Sequence, residues 1–373
     1  MVSAIILAAG MSKRMDSLKQ LLRIGGKPLL QHILDSVDRS AVDEIVLVLG
    51  FEAESIRKDL TENRARIVIN DSYEEGMSTS IQVGIGALDK KTDAALIILC
   101  DQPLIGHQVL DKIISDYKFS DSKIAVPYYK GFRGNPVLID RLLFPEMMGI
   151  SGDIGCRAIF GLHPDSILKV PMDDLSILVD IDTQQEFEKI SELYAANNYD
   201  VGKTLSALQE NVKDGDVPVI GESTPQLLII GDGKVTRALA KFGNILGFYV
   251  NIIDPLAAES DIPEADRIMH ELDLIKAGAN GKTYLVIASK GRFDEDVLEQ
   301  AVQSDIPYIG MMASKKRADD IFKKMQANGI PADDIKKIRC PVGIQINAAT
   351  PHEIALSIIS EIIMVRRMST SKS

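Results

Sequence analysis

Arg14 and Lys19 stand just beyond the apolar run Ile5-Ile6-Leu7-Ala8-Ala9-Gly10, so two cations flank a turn of small residues. Alanine and glycine leave room for a ligand against the backbone, whose exposed N–H groups bind phosphate oxygens. Cations at such a turn neutralise charge that builds during phosphoryl transfer. Leu7, Ala8, Ala9, Gly10, Ser12, Arg14 and Lys19 are the expected nucleotide-binding residues, with Arg14 and Lys19 also catalytic.

A second set of candidates is acidic. Asp101 ends the apolar run Ala94–Cys100, so a buried strand delivers one carboxylate to the edge of a sheet. Magnesium takes one or two carboxylates plus phosphate oxygens and water, and Asp101 meets that need as metal ligand and third catalytic residue. Opening the Asp101-Gln102-Pro103 turn is its other available role. Asp180 and Asp182 alternate with Val179 and Ile181, which places both carboxylates on one face of an extended segment, where either completes a Mg2+ site. Asp182 directly precedes Thr183-Gln184-Gln185-Glu186, a capping-box sequence, so a structural role is open to it too.

Gly76-Met77-Ser78-Thr79-Ser80 opens a helical pattern, where free N–H groups and the positive dipole end bind an anion or a nucleobase edge. An ordinary serine cap is the alternative. Gly76, Ser78 and Ser80 join the nucleotide-binding candidates. The chemistry these groups suit is nucleotidyl transfer, because metal and lysine charge relieve the repulsion between an attacking phosphate and the α-phosphate of a nucleotide. No nucleophilic side chain is needed.

Strand-like and helical runs alternate along the chain, which predicts an α/β fold with mostly parallel sheets. Val2–Leu7, Glu44–Leu49, Arg66–Ile69, Ala94–Leu99 and Ile124–Val126 read as strands, and Pro28–Val37 and Ser78–Leu88 as helices. After a looser stretch with its own helix near 201–212, the pattern restarts. Leu227–Ile230 is a strand, Lys234–Leu246 a helix and Tyr249–Ile253 a strand. Two tandem Rossmann-like domains are expected: 1–192, a connector 193–225, then 226–367, with a disordered tail at 368–373.

The 373 residues are 46% hydrophobic, enough for a core in each half. A net charge of −11 argues against a general nucleic-acid binder. No apolar run approaches the ~20 residues needed to span a bilayer, so no membrane partner and a cytoplasmic location are expected. Three widely spaced cysteines, Cys100, Cys156 and Cys340, fit neither a disulfide framework nor a zinc site and read as small buried thiols.

The first half resembles the molybdenum cofactor cytidylyltransferases, whose opening reads L-A-A-G-x-S-x-R-M-G-x-x-K. Asp16 stands here in place of the family's second glycine. The resemblance continues through Glu75–Ser80, Asp101-Gln102-Pro103, Gly134-Asn135-Pro136-Val137, Gly152–Arg157 and Val179–Thr183. It implies CTP and molybdopterin as substrates, a second metal ligand at Asp182, and a pterin lying beside a loop at Gly131–Pro136. Arg133 would meet its phosphate, with Gly134, Asn135 and Asp153 as further substrate contacts. Ala9 in place of another glycine resembles the cytidylyl branch rather than the guanylyl one.

In the second half, Gly231-x-Gly233 after a strand and Asp254 at the end of the next have the spacing of a dinucleotide fingerprint. Thr236 replaces its third glycine, and Asp232 sets a negative charge where a pyrophosphate would lie, with Lys234 beside it. The blocks Leu228–Val235, Ile253-Asp254-Pro255, Tyr308–Lys316, Cys340–Ile344 and Ala349–Ala355 resemble the carboxyl domain of XdhC-type accessory factors of xanthine dehydrogenase. That resemblance implies molybdenum cofactor, not NAD, at a loop of Gly231, Gly233, Lys234 and Asp254, and transient contact with a molybdenum hydroxylase apoenzyme. Together the halves suggest Mg-dependent transfer of CMP to molybdopterin, coupled to cofactor handling. The alternatives are GTP-dependent or sugar-phosphate transfer, and a non-catalytic cofactor carrier.

Overall fold

A computed structural model describes residues 1–11, 15, 18–153, 155–210, 225–257, 262 and 264–370. It divides into two compact units, one carrying residues 1–210 and the other residues 225–370. Ser12, Arg14 and residues 211–224 of the expected connector lie outside the described residues.

The strands of the first unit are β1 (Val2–Ala8), the hairpin β2 (Arg23–Ile24) and β3 (Lys27–Pro28), β4 (Glu44–Leu49), β5 (Arg66–Ile69), β6 (Ala94–Leu99), β7 (Ile124–Tyr129), β8 (Phe132–Arg133), β9 (Val137–Asp140) and β10 (Ile167–Met172). The main sheet runs β10-β7-β9-β6-β1-β4-β5, with β8 joined to β7. Neighbours are parallel except for β9, antiparallel to both β6 and β7, and β8, antiparallel to β7. β7 extends past the expected Val126 because β8 folds back to pair with Tyr128 and Tyr129.

β1 sits at the centre because every one of its residues is buried. Ala4, Ile6 and Ala8 enter one apolar cluster and Ile5, Leu7 and Ala9 the other, so the period-2 alternation feeds two cores rather than one. The helix Met77–Ala87 lies against β1 at Gly84, where an added Cβ would collide with Ile5. Such a covered parallel sheet exposes only its strand ends to ligand.

The second unit has strands β11 (Gln226–Ile230), β12 (Tyr249–Ile253), β13 (Arg267–Met269), β14 (Thr283–Ile287), β15 (Tyr308–Met311) and β16 (Ile338–Arg339). They form one parallel sheet in the order β13-β12-β11-β14-β15-β16, which is the doubly wound order with its reversal between β11 and β14. Thr236, expected to hinder close strand–helix approach, is wholly buried in the helix Lys234–Ile245. Close packing comes from Gly243 instead, where an added Cβ would lie 2.8 Å from Leu227 and 2.9 Å from Val250.

Two expectations need correction. Residues 368–370 of the expected tail are helical, because the last helix runs Pro351–Thr370, anchored by buried Ala355, Ile358, Ile359 and Ile362; 371–373 lie outside the described residues. Arg367 in its last turn complements the negative end of the dipole, so the winding outlasts the packed face. Of the three free cysteines only Cys156 is fully buried; Cys100 and Cys340 are half-buried. Among the described residues no helix is long and apolar enough to cross a membrane.

Candidate active site

The loop that leaves β1 is held open by its neighbours. Gln20, buried in the short 3-10 turn Lys19–Leu21, donates from Nε2 to the carbonyls of Ala8 at 3.1 Å and Gly10 at 2.8 Å. The Phe51 N–H donates to the Ala9 carbonyl at 3.1 Å, and the Cys100 N–H to that of Leu7 at 3.2 Å. Gly10 is exposed, and among the described residues a Cβ placed on it would meet nothing within 4 Å. Gln20 was not among the sequence candidates, although it adjoins Lys19.

The same turn aims Lys19 at the carboxylates. Its Nζ lies 3.0 Å from Asp101 Oδ2 and 2.6 Å from Asp182 Oδ1, with side-chain exposures of 11% for the lysine and 21% and 16% for the acids. The segments carrying the two acids meet directly, because the Ile181 N–H donates to the Asp101 carbonyl at 2.9 Å. Burial alone would lower the Lys19 ammonium, but Asp101 and Asp182 outweigh it and hold its pKa well above the usual lysine range. Asp180 belongs to the same cluster: burial, then Asp101 and Asp182, raise its pKa well above the carboxylate range. Cys100, packed against this centre, is pushed up to about 12 by burial and the Asp101 charge, so it is an inert thiol.

Among the described residues no group of three or more His, Cys, Asp or Glu side chains is arranged to hold a metal ion. A two-carboxylate site is what remains, and the chemistry fits one: Asp101 Oδ1 is buried without a hydrogen-bond partner while Oδ2 faces the lysine. Magnesium commonly takes only one or two protein carboxylates, the rest of its shell being phosphate and water. Asp101 and Asp182 are the residues that would hold it.

Asp182 is positioned by the capping box at its back. Thr183 Oγ1 accepts from the Glu186 N–H at 3.2 Å, and Glu186 Oε2 accepts from the N–H groups of Asp182 and Thr183 at 2.7 and 2.8 Å. The capping role that the sequence left open to Asp182 thus falls on its neighbour, Thr183. Thr183→Ala should cost about 1 kcal/mol and lower the unfolding midpoint by about 2–4 °C in a thermal melt. An unchanged midpoint would show that the box contributes nothing.

Other candidates occupy different ground. Ser78 and Ser80 are buried, and the first N–H groups of the helix Met77–Ala87 are already used: Met77 donates to Asp153 Oδ1 at 3.2 Å and Ser78 to the Gly152 carbonyl at 3.1 Å. Asn70, absent from the sequence candidates, donates to Ser80 Oγ at 2.9 Å. This helix start is therefore closed by the protein's own acceptors. Asp153 serves it, and Gly76 is required for its φ of +113° and its close approach to the Gly152 backbone.

Gly131–Pro136 is not a loop over a cleft but a hairpin on the sheet. Arg133 is buried with its guanidinium 5.0 Å from the centre of the Phe160 ring. The Gly134 N–H donates to Pro127 and the Asn135 N–H to Ile177. Gln102, which follows Asp101, reaches the same Ile177 carbonyl at 3.3 Å. Asn135 and Gln102 therefore share a partner, which ties the hairpin's exit to the carboxylate centre.

In the second unit, Gly231 takes φ +111°, and a Cβ there would lie 2.8 Å from the Ala288 carbonyl oxygen. Gly233 heads the helix Lys234–Ile245, with Lys290 Cε alongside at 3.7 Å from its Cβ position, while Lys234 itself is exposed. Asp254 is wholly buried. The expectation that Asp232 presents a bare charge, offset by Lys234, is corrected: Arg292 pairs with it at 2.8 Å.

A mostly parallel sheet whose edge brings a small-residue turn together with a lysine and two carboxylates is the architecture of a nucleotidyltransferase domain. Residues 4–167 match the family of the MobA-like NTP transferase domain and residues 227–362 that of the XdhC Rossmann domain, so the chain joins these two modules. The uncharacterized protein YqeB of Escherichia coli is 29% identical over 150 residues, 38% of this chain and 27% of that protein. Nicotine blue oxidoreductase of Paenarthrobacter nicotinovorans is 27% identical over 198 residues, 51% of this chain and 96% of that protein. Among solved structures, the Mycobacterium tuberculosis rv0371c homolog from Mycobacterium sp. strain JC1 is 24% identical, covering 52% of this chain and 98% of its own, with a TM-score of 0.47. The chain spans about a quarter of the length of the first curated relatives it matches.

Proposed function

We propose that the first unit transfers CMP from CTP to the phosphate of molybdopterin or its molybdenum-loaded form, releasing pyrophosphate, and that the second unit handles the pterin product. The observation that carries this reading is the convergence of Lys19, Asp101 and Asp182 beside the turn at Gly10. A phosphate oxygen of the acceptor attacks the α-phosphorus; the bond to the bridging β-oxygen breaks, and pyrophosphate leaves with that electron pair. The backbone of Ala8–Gly10 binds the triphosphate and Lys19 offsets the charge that accumulates on it. Bound Mg2+ would supply Lewis-acid charge at Asp101 and Asp182. Coupling the two modules in one chain keeps a labile product at high effective concentration for its second site, and delivery to a molybdenum hydroxylase apoenzyme would follow.

The test is a panel of CTP, GTP, ATP and UTP with purified molybdopterin and Mg2+, scored by pyrophosphate release. CTP should give the fastest release. No release with any nucleotide would overturn catalysis in favour of a carrier, and a preference for GTP would overturn the cytidylyl assignment alone. The name of the nicotine blue oxidoreductase raises redox chemistry as a second reading; the same assay separates the two, since hydride transfer releases no pyrophosphate.

A further inference from the structure

We infer that Arg292 closes the ligand edge of the second sheet to dinucleotides and so determines which cofactors this unit refuses. In a sheet of this strand order a dinucleotide lies where the order reverses. Its pyrophosphate rests on the glycine turn after the first strand and a ribose hydroxyl on the carboxylate ending the second. That carboxylate is Asp254, and both of its oxygens are engaged. Oδ1 accepts from the Leu256 N–H at 2.9 Å and Oδ2 from Arg292 Nη2 at 2.6 Å. The Asp254 side chain has 0% exposure.

The same Nη2 reaches Asp232 Oδ1 at 2.8 Å within the glycine turn. One guanidinium from the loop after β14 therefore ties the β11 turn to the β12 carboxylate, across the crevice a dinucleotide would occupy. A ribose hydroxyl could reach that oxygen only by displacing the guanidinium, which gives up the opposite charge beside a buried carboxylate in exchange for an uncharged donor. The 2′-phosphate of NADP fares no better, because the guanidinium it would seek is already shared by two carboxylates. The spacing of Gly231, Gly233 and Asp254 is thus that of a dinucleotide fingerprint, while the ribose-binding group of that fingerprint is already occupied.

The full chain is titrated with NADH and NADPH by nucleotide fluorescence; the sequence contains no tryptophan to interfere. Wild type should bind neither with a dissociation constant below about 1 mM. The double variant Asp232→Ala/Arg292→Ala frees one Asp254 oxygen and removes the exposed carboxylate, and should gain at least about tenfold in NADH affinity. Adding Asp254→Asn to that background should abolish the gain. Wild-type binding of either dinucleotide below about 1 mM overturns the inference. So does a double variant that melts cooperatively yet gains nothing. Should that variant not fold, the wild-type titration decides alone.

Discussion

Asp101→Asn leaves the fold standing and lowers turnover by at least about a hundredfold, the scale set by removing one main electrostatic stabiliser of a transition state. The carboxylate offers two acceptor oxygens, one on Lys19 and one buried without a protein partner. Asparagine keeps the shape but has only one acceptor. Either its amide nitrogen faces the ammonium, an unfavourable contact, or it takes the place of the oxygen a divalent cation would bind. The measurement is pyrophosphate release at saturating nucleotide and Mg2+, with a thermal melt as control for folding. Near-normal turnover would remove Asp101 from the metal site.

Lys19→Ala should act on stability and on catalysis together. It leaves Asp101 and Asp182 facing each other beside Asp180 without their shared counter-ion. Breaking a buried ion pair by removing one partner costs on the order of 3–5 kcal/mol, and the partial exposure of these groups places the loss near the lower end. Added Mg2+ or Mn2+ should recover part of it, because a divalent cation restores the missing charge and binds the folded state. The variant's unfolding midpoint should therefore rise more steeply with metal than the wild-type one. Turnover should fall more than nucleotide affinity if the lysine–phosphate contact tightens in the transition state. A loss of affinity alone would make Lys19 a ground-state binding group, and a midpoint indifferent to metal would separate it from the cation site.

The strands and their carboxyl-edge residues were legible in the sequence because fully buried parallel strands read as unbroken apolar runs. Glu44–Leu49 and Ala94–Leu99 match the expected bounds, and Asp101 falls where its run predicts. What the sequence did not reveal depends on long-range partners. Ser78 looked like an anion-binding cap until the Gly152 carbonyl and Asp153 were seen to occupy that helix start, some seventy residues away in the chain. Asp232 looked like an uncompensated charge because its partner, Arg292, lies on a different loop. Gln20 carries no motif: its clamp on Ala8 and Gly10 is visible only once the turn is closed. Arg133 was read as phosphate-facing from family likeness, whereas local packing sets it against Phe160.

β9 has a consequence for how this fold can diverge. In a wholly parallel sheet, ligand-edge residues come only from loops that leave strands, each tied to a helix that must return across the sheet. Because β9 runs against β6, with Val137 opposite Ile97, its entering end lies at the edge where Asp101 sits. The hairpin before it, Lys130–Asn135, answers to no crossover helix. Its exposed tip, Lys130-Gly131, can therefore be exchanged in length and side chain, while buried Phe132 and Arg133 and the Asn135 contact with Ile177 hold its exit in register with Asp101.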